Sequence, residues 1–138
     1  MVIKMNNLKE QEKNIIEGLR TLLVVDDQPD ITQERFDLIV DELIKNDERE
    51  LMWRLCGAFN GYNYNKVIDY FIKVRASYYV EELVCFTCGE LDQEYLVNKM
   101  IETNDKEFIK EALEECGKSM QYSMKDECLE KLLDFIKN

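Results

Sequence analysis

The chain has 138 residues, enough for one domain with a continuous core and no need of covalent staples. A composition that is 46% apolar and 34% charged with a single proline excludes a disordered chain, and five cysteines in no paired framework argue against a small disulfide-stapled secreted fold. The 18 basic and 29 acidic residues give a net charge of −11, so nucleic acid and anionic membrane are excluded as expected partners and a basic protein is favoured.

Met1 to Asn7 carry one lysine and no apolar run, so no signal peptide is expected, and no segment approaches the roughly 20 apolar residues that span a bilayer. The expected location is the cytoplasm. Leu8, Ile15, Ile16, Leu19, Leu22 and Leu23 share one face at helical spacing and predict an amphipathic first helix, ended by Pro29. Within it, Thr21 to Val25 followed by Asp26-Asp27 resembles the first strand of a response-regulator receiver. The chain beyond has none of the strand and helix alternation that such a fold needs, so this reading is set aside.

The next helix is expected to begin near Asp30 or Thr32, either of which can cap free amides, and to bury Phe36, Ile39, Val40, Leu43 and Ile44. Helices are then predicted from Asn46-Asp47 to about Phe59, closed by Asn60-Gly61, and from about Tyr64 or Asn65 to Arg75. Further helices run from Tyr78 to Cys88, ending at Gly89, and from about Gln93 to Glu102 after Asp92. The last pair runs from about Lys106 to Cys116, ending at Gly117, and from about Ser123 or Met124 to Ile136, with Lys118 to Tyr122 as the loop.

These segments repeat. Leu51, Leu55, Cys56 and Phe59 return 29 residues later as Val80, Val84, Cys85 and Cys88, and Val67, Ile68, Phe71 and Ile72 return as Leu96, Val97, Met100 and Ile101. Ile39 to Lys45 match Val67 to Lys73 at an offset of 28, and Val80, Val84 and Cys88 fall at 28 on Phe108, Ala112 and Cys116. The prediction is an all-α single domain of about eight helices in four antiparallel hairpins, over about 6–46, 47–76, 77–104 and 105–138. A period of this length implies stacked hairpins, none of which can bury its apolar stripe alone.

No catalytic constellation is present. The absence of histidine removes the Ser-His and Cys-His arrangements. Cys85-Phe86-Thr87-Cys88 is the one formal motif, but it lies at the C-terminal end of its helix, where the dipole does not favour a thiolate, and no second such pair completes a zinc site. Its alignment with Cys56 and Phe59 reads it as repeat core. No cofactor and no metal are therefore expected.

The exposed chemistry is aromatic and acidic. Tyr62 and Tyr64 fall in an interhelical loop and Tyr78 and Tyr79 open the next helix, whereas Phe59 and Phe71 take core positions. Residues 77–104 hold Glu81, Glu82, Glu90, Asp92, Glu94 and Glu102 against Lys99 alone. These four tyrosines and six acids are the expected partner-binding residues.

The four-hairpin pattern resembles short α-solenoids of the HEAT and armadillo kind over most of the chain, without the ankyrin or tetratricopeptide signatures. The resemblance implies a right-handed solenoid whose second helices line an extended surface, and binding rather than catalysis. Small size, acidity and lack of chemistry also resemble an immunity protein of a bacterial toxin system, which implies one basic toxin or nuclease as partner and a monomer or weak dimer. The alternatives are a phage-encoded inhibitor mimicking nucleic acid and a generic helical-repeat adaptor.

Overall fold

A computed structural model describes residues 31–59, 61–87 and 91–138. The predicted first helix, the Thr21 to Val25 run and the break at Pro29 lie outside them, as do Asn60, Cys88, Gly89 and Glu90. The described residues form seven helices and no strand: α1 (Gln33–Lys45), α2 (Arg49–Ala58), α3 (Asn65–Lys73), α4 (Ser77–Phe86), α5 (Gln93–Glu102), α6 (Lys106–Ser123) and α7 (Asp126–Lys137). None is long and apolar enough to cross a membrane.

The chain groups into two compact units, residues 1–58 and 59–138. In the first, α1 packs against α2 and buries Phe36, Val40 and Leu43, while α2 buries Met52, Leu55 and Cys56. Thr32 caps α1, its hydroxyl accepting from the Arg35 amide at 3.1 Å. In the second unit, contacts join alternate helices: α4 lies on α6, α3 on α5, and α5 on α7, with α3 also touching α4 and α6 touching α7. Val67, Ile68 and Phe71 of α3, and Leu96, Val97 and Met100 of α5, are buried. So are Val80, Leu83 and Val84 of α4, and Ile109, Ala112 and Leu113 of α6. Each large aliphatic or aromatic side chain so placed is worth about 2 kcal/mol of transfer free energy.

The repeat is visible in the backbone of three turns. Asp47, Arg75 and Asn104 follow α1, α3 and α5 and take φ of 52°, 58° and 53°. Each donates its amide to the carbonyl three residues back, Ile44, Ile72 or Ile101, at 3.0 to 3.1 Å. In the first two, the following amide, of Glu48 or Ala76, closes a wider ring onto Leu43 or Phe71 at 2.9 Å. This is a Schellman stop, which satisfies carbonyls the helix end would leave orphaned. After α5 a threonine does the second job, the Thr103 hydroxyl donating to Met100 and accepting from the Asp105 amide. Asp92 and Asp105 then cap α5 and α6, each side chain accepting from the amide three residues on.

Two readings need correction. Burial matches Met52, Leu55, Cys56 and Phe59 to Val80, Leu83, Val84 and Thr87, an offset of 28 and not 29. Aligning cysteine on cysteine slipped α4 by one residue, about 100° around a helix, so Cys85 is half-buried beside the core instead of within it. The second concerns α6. Its regular course ends where Cys116-Gly117 was expected to end it, but Lys118 to Tyr122 is no open loop: Cys116, Gly117 and Lys118 make a left-handed turn with φ of 48°, 66° and 70°, after which helix resumes to Ser123. Cys116 and Lys118 have Cβ atoms that oppose this conformation, at about 1 kcal/mol each.

Candidate interaction surface and acid-thiol cluster

Of the ten residues expected at a partner surface, Glu90 lies outside the described residues and the other nine separate into two groups. Tyr64 is buried with its hydroxyl donating to the Phe59 carbonyl, and Glu81 is 1% exposed. Both are thereby removed from the surface: Tyr64 sits where Phe36 sits in the preceding repeat, and Glu81 turns toward α6. Tyr62 is half-buried, edge-on to Phe59 at 5.9 Å, and Tyr79 is half-buried and stacked on Phe71 at 5.4 Å. Asp92 is exposed but engaged as a cap, and Glu102 is exposed beside Lys99 at 3.4 Å. Tyr78 and Glu94 are exposed and Glu82 is half-buried.

The sequence reading missed Phe86 and Tyr122, which are 59% and 85% exposed. Tyr78, Glu82 and Phe86 stand four residues apart on α4 and form one stripe along its outer face. Phe86 was hidden by the Cys-x-x-Cys frame around it. Its signal was the eight-residue spacing from Tyr78, two turns along the same face of the helix. Tyr122 belonged to the expected loop.

Beneath the stripe, α4 and α6 bring acids and thiols together. Glu81 Oε1 accepts from Ser119 Oγ at 2.7 Å and from Cys85 Sγ at 3.2 Å, while Ser123 Oγ lies 3.5 Å from Cys85 Sγ. Cys116 Sγ lies 3.9 Å from Glu82 Oε1, a contact longer than a good hydrogen bond. Ligand atoms of Glu81, Glu82 and Cys116 all fall within 4.8 Å of one another. Cys116 gets there by the left-handed turn, because a continued helix would send residues 116–118 along a different path.

The electrostatics of this cluster are one-sided. Glu82 is raised above the ordinary carboxyl range, first by desolvation and then by the neighbouring Glu81 carboxylate. The thiols of Cys116 and Cys85 are raised, mainly by desolvation with Glu81 adding to it. Tyr78 is raised chiefly by the Glu82 charge. Cys56, in the other unit, is a buried inert thiol pushed up to about 12 by desolvation alone. A protonated thiol beside carboxylates is a poor nucleophile, so the cluster is suited to holding a cation or a proton rather than to attacking a substrate.

A different charge cluster lies at the start of the same two helices. Arg75 Nε contacts Asp105 Oδ2 at 3.1 Å, and its guanidinium stands 5.5 Å from the Phe108 ring centre. The Phe108 amide, and then Arg75, hold Asp105 below the usual carboxylate range. Alongside, a shallow cleft of about 290 Å³ opens among Asp69, Lys73, Arg75, Lys99 and Glu102, with cations and anions interleaved. Tyr95 donates to Asp69 at 2.7 Å, and burial together with that acceptor pushes its phenol up to about 12.

No protein family, curated protein or solved structure matches the chain.

Proposed function

We propose that this chain is a non-enzymatic protein-binding module, an acidic inhibitor of the immunity-protein kind that neutralises a basic toxin or nuclease by direct contact. The observation that carries this reading is the Tyr78, Glu82 and Phe86 stripe on α4. Exposed aromatics beside acids are the composition of an interface centre with a steering rim: the rings supply area at small entropic cost, and the charge speeds encounter with a cationic partner. Net charge −11 extends the same preference over the whole chain.

The fold reading that goes with it is a short right-handed solenoid of the HEAT or armadillo kind. Its support is the Schellman turn recurring at Asp47, Arg75 and Asn104, together with the alternate-helix packing of α3 to α7. In such a stack the first helices form one layer and the second helices the other. The α4 stripe then lies on the first-helix side, not on the second-helix surface that the family resemblance implies.

The test is co-purification of the chain with the product of the adjacent gene, followed by calorimetry. Phe86→Ala and Tyr78→Ala should each weaken the complex at least about tenfold, as truncated aromatic anchors do. Glu82→Lys with Glu94→Lys should slow association most at low salt. Failure to form any complex, or a complex indifferent to all four changes, would sink the reading.

A further inference from the structure

Glu81 Oε2 is buried and has no hydrogen-bond partner among the described residues. Ser119 and Cys85 both serve the other oxygen, so the carboxylate is anchored with one oxygen left over. A buried carboxylate in this condition calls for a proton or a cation. The same carboxylate lies with Glu82 and the Cys116 thiol, one ligand atom of each within 4.8 Å of the others. A proton shared between two carboxyls would need no thiol, and the α6 backbone takes a left-handed turn that brings one there.

We propose that Glu81, Glu82 and Cys116 bind one thiophilic divalent cation of the zinc class, with Glu81 as the buried anchor and the turn of α6 delivering the sulfur. The donor set selects the metal. Magnesium and calcium take oxygen ligands and discriminate against sulfur, whereas carboxylate oxygen and thiolate both belong to the zinc repertoire. Ser119 and Cys85 fix the Glu81 carboxylate by occupying Oε1, which leaves Oε2 for the metal. Tetrahedral zinc needs ligand atoms about 3.5 Å apart, so the cluster has only to contract slightly. Three protein ligands leave a fourth position for water or for a partner's side chain. On binding, the Cys116 S–H bond breaks, its electron pair forms the S–Zn bond, and one proton goes to solvent. The inference goes beyond the docking reading and does not depend on it.

The test uses the reduced full-length chain and zinc ion alone. Competition with a chromophoric chelator should give one strong site, and cobalt in its place should show a thiolate charge-transfer band. Cys116→Ser, an exposed position, should abolish that band and weaken zinc at least tenfold, and Glu82→Gln should weaken it similarly. In the unmutated chain, zinc should slow alkylation of Cys116, read by peptide mass, at least tenfold. This arm needs no variant to fold. Unchanged alkylation, or zinc affinity equal in Cys116→Ser, would overturn the proposal, as would a carboxylic-acid infrared band of the Glu81 and Glu82 pair persisting in saturating zinc.

Discussion

Two charged clusters join α4 and α6 or the turns that lead into them, and these two meetings are built on opposite principles. Just ahead of both helices Arg75, in the turn before α4, meets Asp105, the cap of α6, whose carboxylate also accepts from the Phe108 amide, so charge, cap and cation–ring contact satisfy one another. Further along, Glu81 meets Glu82 and the Cys116 thiol, and the arrangement leaves a buried oxygen without a partner. The first meeting has the features of a structural joint, whose acid is held below its ordinary pKa. The second has an acid held above it, by desolvation and by a like-charged neighbour.

A cavity in the core behind the second meeting should have the largest effect. Leu83 of α4 is 1% exposed, and Leu83→Ala, which empties part of the core behind the helix that carries the second cluster, should cost about 3 kcal/mol in urea unfolding. Lys118→Gly acts on the second meeting alone. Glycine accepts φ near 70° without the Cβ clash, so this change should stabilise by about 1 kcal/mol in thermal unfolding while leaving the Arg75 joint untouched.

The joint and its turns were legible in the sequence because they depend on local chemistry. Asp92, Asp105 and Thr32 are caps by residue type and position, and the stops before Asp47, Arg75 and Asn104 follow the 28- and 29-residue period. The acid-thiol cluster was not legible. Glu81 was assigned to the surface because acids usually are, and its burial depends on hydroxyl and thiol donors from α6 and α4. Cys116 reaches Glu82 only through a turn for which Gly117 is the sole local signal, and that glycine reads equally well as a simple helix stop. The one-residue slip at Cys85 had the same origin: residue identity was matched where burial was the quantity that repeats.

Acid stability separates the two meetings by sign. The depressed Asp105 contributes stability that is present above 3.8 and is lost as pH falls through its lower folded value. For Glu82 the folded pKa is raised, so its ionisation opposes folding as pH rises through 4.5 and beyond. Glu82→Gln in metal-free protein should therefore raise the melting temperature at neutral pH, with the gain disappearing below 4.5. Asp105→Asn should lower it at neutral pH, with the loss fading in acid. These shifts are the smallest of the set, because both groups are partly solvated.

The most direct measurement is a carbon-detected NMR titration of the side-chain carboxyls in the metal-free reduced protein. Asp105 is expected to titrate below 3.8 and Glu82 above 4.5, and saturating zinc to move Glu82 downward while leaving Asp105 where it was. Ordinary values for both residues, or a Glu82 that zinc does not move, would contradict that expectation.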